Sequence, residues 1–291
     1  MKCNLCPRKC NAERTESSNT YGYCKQPTAL RIARAALHFW EEPIISGKNG
    51  SGTVFFSGCN LGCVYCQNAE ISQKNKGKTI THKRLAEIFF ELEQKGAHNI
   101  NLVTPTHYTD AITRALDIYK PSIPIVYNSS GYDSEEQINK LKKYIDIYLF
   151  DFKYLDTERA KRYSFTPDYP FVVKRAIDLA YKQTGEAVIE NGLMKRGVII
   201  RHLLLPRATG EAIKIFDYVK ENYKGAYFSL MSQYVPMNKA LNDDVINRKI
   251  TKREYEKVTD YIINAGFNNC FIQETNSADK SYIPPFDFEG I

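Results

Sequence analysis

Cysteines are the residues of this 291-residue chain best suited to chemistry: there are eight, and seven fall within the first 66 positions. They form two sets, with Cys270 apart. Cys3, Cys6, Cys10 and Cys24 are spaced C-x2-C-x3-C-x13-C, and Cys59, Cys63 and Cys66 are spaced C-x3-C-x2-C. In a reducing compartment, closely spaced cysteines serve as metal ligands more often than as disulfides. Four thiolates close a site, so the first set suits tetrahedral zinc, a rubredoxin-like iron or a second iron-sulfur cluster, and spacing does not separate these metals. Such a metal would staple a head of ~25 residues, too small to fold on a core of its own. Three thiolates leave a zinc ion or a four-iron cluster with one open coordination position, where an external ligand binds. Gly58 and Gly62 give the backbone freedom to wrap closely around a bulky centre.

The elements that must position these thiols are read from the hydrophobic pattern. Strands are expected at 52–56, 99–104, 123–128, 145–151, 198–205 and 226–231, with a short seventh at 270–273. Helical pattern lies between them at 81–95, 110–119, 157–183, 209–223 and 251–265. Ser134-x-x-Gln137 and Thr251-x-x-Glu254 have the capping-box form that opens a helix. The fifth strand is too apolar to be half exposed, as in parallel sheets covered on both faces. Strands alternating with helices imply an α/β fold with right-handed crossovers. Six units are too few to close an eight-fold barrel, which leaves an open barrel or a doubly wound sheet. Both place chemistry at the carboxyl ends of the strands, and the three-cysteine loop lies at such an end.

The segment Gly58-Cys59-Asn60-Leu61-Gly62-Cys63-Val64-Tyr65-Cys66-Gln67-Asn68 strongly resembles the signature of radical S-adenosylmethionine (radical SAM) enzymes. The resemblance covers nearly the whole chain. It implies a partial (β/α)6 barrel carrying a small N-terminal cysteine-rich head, and a [4Fe-4S] cluster on Cys59, Cys63 and Cys66. In that family S-adenosylmethionine chelates the open iron, and one electron cleaves its sulfonium to methionine and a 5'-deoxyadenosyl radical, so the cofactors carry the chemistry. Asp151-Phe152-Lys153 looks like the segment that helps hold the nucleoside in activating enzymes of glycyl radical proteins. Arg201 is similar to the arginine that contacts S-adenosylmethionine there. Strand alternation puts Arg201 and His202 on opposite faces, and Arg201 is taken as the inward one. Tyr65, Thr104, Thr106 and Asn128 supply further loop atoms around the cofactor. Thr104-Pro105-Thr106-His107 stands where the family commonly has Gly-Gly-Glu-Pro, so threonine hydroxyls would replace a carboxylate. His107 is either a contact of the site or a cap on the next helix.

The pattern is closest to pyruvate formate-lyase activating enzyme-like proteins. This implies an oxidoreductase of anaerobic metabolism, served by an electron donor such as flavodoxin or ferredoxin. The radical would abstract hydrogen from a glycine of a partner protein or, alternatively, from a small molecule or peptide. From a different class, a zinc-based module for nucleic-acid or protein binding would be colourless and would not turn over S-adenosylmethionine.

Composition agrees with an ordinary soluble globular protein and argues against disorder or fibres, with 43% apolar and 25% charged residues. The longest apolar run is four residues, far below the ~20 of a membrane helix. The net charge of +7 is spread out, with no block of basic residues, so neither a membrane nor a nucleic-acid partner is expected. The first residues lack a signal-peptide core, and a cytoplasmic location is expected. The expected organisation is a cysteine-rich segment at 1–50, a barrel at 51–274 and a tail at 275–291. His38, Glu41 and Glu42 are read as packing and hydrogen-bonding residues that close the bottom or side of the barrel rather than as a metal triad. Cys270, beside Phe271 and Ile272, reads as a buried inert thiol.

Overall fold

The computed structural model describes residues 2–17, 22–273 and 284–291. A long strand, β1 (Leu30–His38), is followed by a single helical turn, α1 (Pro43–Ser46), and by β2 (Ser51–Phe56), which feeds the three-cysteine loop. Next come α2 (Ala69–Ser72), β3 (Lys78–Ile80), α3 (His82–Gln94), β4 (Ile100–Val103), α4 (Thr109–Ile118), β5 (Ile125–Ser129), α5 (Glu135–Leu141) and β6 (Ile147–Asp151). Two helices, α6 (Thr157–Ser164) and α7 (Tyr169–Thr184), lead to the hairpin of β7 (Val188–Glu190) and β8 (Leu193–Leu203). The order ends with α8 (Thr209–Asn222), β9 (Tyr227–Met231), α9 (Lys252–Asn264) and β10 (Cys270–Ile272).

Strands β2, β4, β5, β6, β8, β9 and β10 pair in parallel in that order, while β1 lies antiparallel on β2 and β3 antiparallel on β1. Among the described residues β10 and β3 end the order without meeting. The result is an open, partial barrel, one of the two arrangements that the six strand-helix units left possible. Its central strands, such as β2, β5 and β6, are buried on both faces. Val54, Leu102, Tyr127, Phe150, Ile200 and Phe228 join the core under the outer helices. Their alternate neighbours Val126, Leu149 and Ile199 pack inside with Ile45 of α1, which closes the floor. Filling the floor leaves the carboxyl ends of the strands as the place for a cavity.

Three local features depart from the sequence pattern. β1 escapes notice because a register shift between Ile32 and Arg34 breaks its alternation. It also lies inside the expected 1–50 segment, yet it belongs to the same sheet as β2. The helical pattern of 157–183 is two helices, because Phe165 takes a left-handed conformation (φ 56°) that ends α6, and Pro170 helps to open α7. Ser134 precedes α5 without capping it; its hydroxyl donates instead to the carbonyl of Leu5 in the head, at 2.9 Å. The capping box of Thr251 and Glu254 is formed on α9.

Residues 284–291 return to the edge of β1. The amide of Ala35 donates to Glu289 O and that of Phe288 to Ala33 O, while Arg34 pairs with Asp287 and Glu289. Phe286 is buried edge-on against Phe55, with ring centroids 5.6 Å apart. The expected boundary at 274 lies outside the described residues. Among the described residues no helix is long and apolar enough to cross a membrane.

Candidate active site

A cleft enclosing about 1240 Å³, part of it open to solvent, lies at the carboxyl ends of β2, β4, β5, β6, β8 and β9. Cys59, Cys63 and Cys66 line one wall, and all three are free thiols. Their loop is held by bonds from distant segments. Gln73 Nε2 donates to Cys63 O, Asn238 Nδ2 to Cys66 O, and the amide of Val64 to Tyr163 O. Gly58 has φ 87°, and a side-chain carbon there would lie 2.3 Å from Cγ of Gln26, so the loop can pass under the head only as glycine.

Each sulfur has its own hydrogen-bond partner. The Leu61 amide donates to Cys59 Sγ at 3.3 Å, Ser164 Oγ donates to Cys63 Sγ at 3.0 Å, and Ser72 Oγ lies 3.3 Å from Cys66 Sγ. Behind Ser164 stand Tyr154 at 2.9 Å and then Tyr65, whose hydroxyl is 2.6 Å from that of Tyr154. Burial pushes the Cys63 thiol up to about 12 and also raises Cys66. A metal centre overcomes that cost, because it binds the thiolate directly. Donors aimed at the sulfurs favour the same charged form and tune an iron-sulfur centre.

The same cleft carries a charged network. Arg201 Nε donates to Asp151 Oδ1 at 2.9 Å, Nη1 to Glu41 Oε2 at 3.0 Å and Nη2 to Asn128 Oδ1 at 2.9 Å. Lys153 Nζ donates to the second Asp151 oxygen at 2.7 Å. Burial alone would raise Asp151, but Lys153 and Arg201 outweigh it and hold the carboxyl below its ordinary value. The strand ends that carry these groups are tied by Tyr169, whose hydroxyl accepts from the Lys153 amide and faces the carbonyls of Asp151 and Ser130. Thr104 also lines the cleft, in a left-handed conformation (φ 61°) that a β-branched residue adopts only under constraint.

The family model of the radical SAM superfamily matches residues 53–219, more than half of the chain. The chain belongs to the radical SAM superfamily. It is 32% identical over 267 residues to an uncharacterized protein of Methanocaldococcus jannaschii, covering 88% of this chain and 72% of that one. It is 30% identical over 113 residues to a 7-carboxy-7-deazaguanine synthase of Methanothermobacter thermautotrophicus, covering 38% of this chain and 42% of that protein. Among solved structures, Streptococcus suis SuiB bound to its precursor peptide SuiA shares the fold, with a TM-score of 0.51 and 20% identity over 74% of this chain. This chain spans 46% of the SuiB chain. Membership in the superfamily implies a [4Fe-4S] cluster and S-adenosylmethionine. The donor set fits them: three free, hydrogen-bonded thiols and no fourth cysteine lining the cleft.

Of the other residues the radical SAM signature suggested, Tyr65 and Asn128 line the cleft with Thr104, whereas Thr106 does not. The Thr106 hydroxyl donates to buried Asp133 at 2.7 Å, together with the hydroxyls of Tyr127 and Ser129. It therefore braces the ends of β4 and β5 from behind and has no proton left for a ligand. His107 is also buried away from the cleft, with Nε2 against Ser57 O at 2.7 Å; burial lowers its pKa to about 3. His202 faces Phe152 O behind the sheet, opposite to Arg201. Glu41, read from the sequence as a packing and hydrogen-bonding residue closing the barrel, turns out to bond the site itself. It reaches Arg201, Asn128 and Asn101 from beneath. Ser72 and Ser164 are further contacts of the thiols that carry no recognisable sequence signal.

In the head, the backbone folds into a knuckle. The Cys3 amide donates to Ala12 O and the Asn11 amide to Cys3 O. Burial pushes Cys6 up to about 12, and Cys24, Cys3 and Cys10 add to the effect, which places all four thiols within electrostatic reach of one another. Among the described residues, however, no three His, Cys, Asp or Glu side chains are arranged to hold a single metal ion.

Proposed function

We propose that the protein is a radical SAM oxidoreductase whose Cys59, Cys63 and Cys66 hold the cluster, and that a polypeptide receives the radical. The carrying observation is that one cleft is lined by all three thiols together with Asp151, Lys153, Arg201 and Asn128. Held by Cys59, Cys63 and Cys66, the cluster would supply the one-electron reductive cleavage of S-adenosylmethionine that leads to hydrogen abstraction from the substrate.

The chain's own residues do the rest. Asp151 and Asn128 offer acceptors to nucleoside hydroxyls and amino groups, and Lys153 and Arg201 offer donors to a carboxylate. Thr104 lines the cleft and Tyr65 backs the thiol loop through its bond to Tyr154, while the apolar strand faces beneath exclude water from the radical. A glycine of a partner protein is our reading of the recipient. It is supported by the likeness of Asp151-Phe152-Lys153 to glycyl-radical activators and by the opening of the cleft to solvent; SuiB, of the same fold, has been solved with a precursor peptide. A small-molecule substrate is the alternative. Flavodoxin or ferredoxin would deliver the electron, in the reducing cytoplasm of an anaerobically growing cell. We also assign zinc, iron or a second iron-sulfur cluster to Cys3, Cys6, Cys10 and Cys24, on their C-x2-C-x3-C-x13-C spacing.

Anaerobically reconstituted protein is expected to be brown and to release 5'-deoxyadenosine from S-adenosylmethionine under dithionite. Replacing Cys59, Cys63 and Cys66 together with alanine should abolish both properties; turnover by the triple variant would overturn the reading. Metal analysis of that same variant reports on the head alone.

A further inference from the structure

Arg8 lies in the head between Cys6 and Cys10, yet its guanidinium bonds to two segments far along the chain. Nε donates to Asn60 O at 2.8 Å and Nη2 to Leu61 O at 3.1 Å, both inside the loop between Cys59 and Cys63. Nη2 also donates to Ser164 O at 3.0 Å and Nη1 to Phe165 O at 2.6 Å, at the end of α6. The two targets converge on the thiols. Leu61 donates its amide to Cys59, and Ser164 donates its hydroxyl to Cys63. The guanidinium is flattened against the ring of Tyr23, 3.7 Å from the centroid, and the Tyr23 hydroxyl donates to Leu61 O as well.

Planarity explains why arginine stands here. Its five donors sit in a rigid fork, so four carbonyls from two segments can be held at fixed mutual angles, which a lysine ammonium on a flexible stem does not do. All four acceptors are neutral carbonyls, so these bonds orient the cation without cancelling its charge. Asn60 and Leu61 directly follow Cys59, so their carbonyls hold the cation beside that part of the thiol loop.

We propose that Arg8 is a positioning residue of the radical-generating site: through it the head clamps the cysteine loop and sets a positive charge beside the thiolates. This rests on the reading that Cys59, Cys63 and Cys66 hold the cluster. A nearby cation favours the reduced, more negative state of such a centre, so Arg8 would ease its one-electron reduction. The head is then part of the redox site and not merely a separate staple.

The test compares Arg8→Gln, Arg8→Lys and the control Lys9→Gln by two readouts. One is the midpoint potential of the reconstituted cluster, followed by its electron paramagnetic resonance signal; the other is amide hydrogen exchange of residues 59–62 in the cluster-free protein. Arg8→Gln should make reduction harder by on the order of tenfold, which is about 59 mV for one electron, and should speed exchange of the loop. Arg8→Lys should recover most of the potential but not the exchange protection, separating charge from clamp. Lys9→Gln should change neither. Wild-type potential and exchange in Arg8→Gln, or an equal potential shift in Lys9→Gln, would overturn the proposal. If Arg8→Gln takes up no cluster, its exchange decides: fast exchange supports the clamp and wild-type exchange refutes it. Failure of the wild-type protein to assemble a cluster would strike the proposed function and leave the exchange comparison standing.

Discussion

At the scale of single residues, the site combines strain with buried charge. Thr104 sits at φ 61° while its amide donates to Asn128 O at 2.8 Å, a conformation that costs a β-branched residue about 1–3 kcal/mol. Thr104→Gly removes that strain against a glycine entropy cost of about 0.5–1 kcal/mol. The expected outcome is a net gain in unfolding free energy by chemical denaturation, with weaker S-adenosylmethionine binding by calorimetry; a loss of stability would show that Thr104 is not constrained. Glu42 gives a pH signature. Burial, opposed by Arg201, pushes its carboxyl from an ordinary 4.5 to about 7, so the folded protein retains a proton that the unfolded chain has released. Its contribution therefore favours folding below about pH 4.5 and is lost as pH rises to about 7, a change on the order of 3 kcal/mol. Glu42→Gln should flatten this part of the stability profile. An unchanged profile would mean that Glu42 does not titrate in that window.

At the scale of elements, identical sequence patterns had different outcomes. Thr251 and Glu254 form the capping box their spacing suggests, and Thr251→Ala should cost about 1 kcal/mol in thermal unfolding without altering the cleft. Ser134 has the same local pattern, but its hydroxyl is drawn to Leu5 O in the head. Ser134→Ala should therefore increase the accessibility of the head thiols to alkylating reagents more than it reduces helix content; the reverse result would restore the local reading. The seven parallel strands were legible because their apolar runs are short, continuous and separated by helical pattern. β1 was not, since its bulge scrambles the alternation, nor was β7, which is exposed throughout. The stretch at 157–183 carried helical pattern, but nothing in residue type reveals where it breaks, at Phe165, which turns left-handed.

At the scale of the whole molecule, distant segments complete the barrel. Residues 284–291 lie along β1, and Phe286 enters the interior against Phe55. Phe286→Ala is expected to lose about 3–5 kcal/mol of stability, measurable as a lower denaturant midpoint. A change well under 1 kcal/mol would mean that the ring is not part of the packed interior. The sequence alone determined the cysteine loop, its place after a strand and the open αβ architecture, because these depend on spacing and periodicity over a few tens of residues. Tertiary structure decided which polar groups meet. Glu41 reaches Arg201 across 160 positions and Arg8 reaches Ser164 across 156, while Thr106, two residues from Thr104, faces away from the cleft. Such contacts depend on strand order, register and the direction of each side chain, which short-range spacing does not encode.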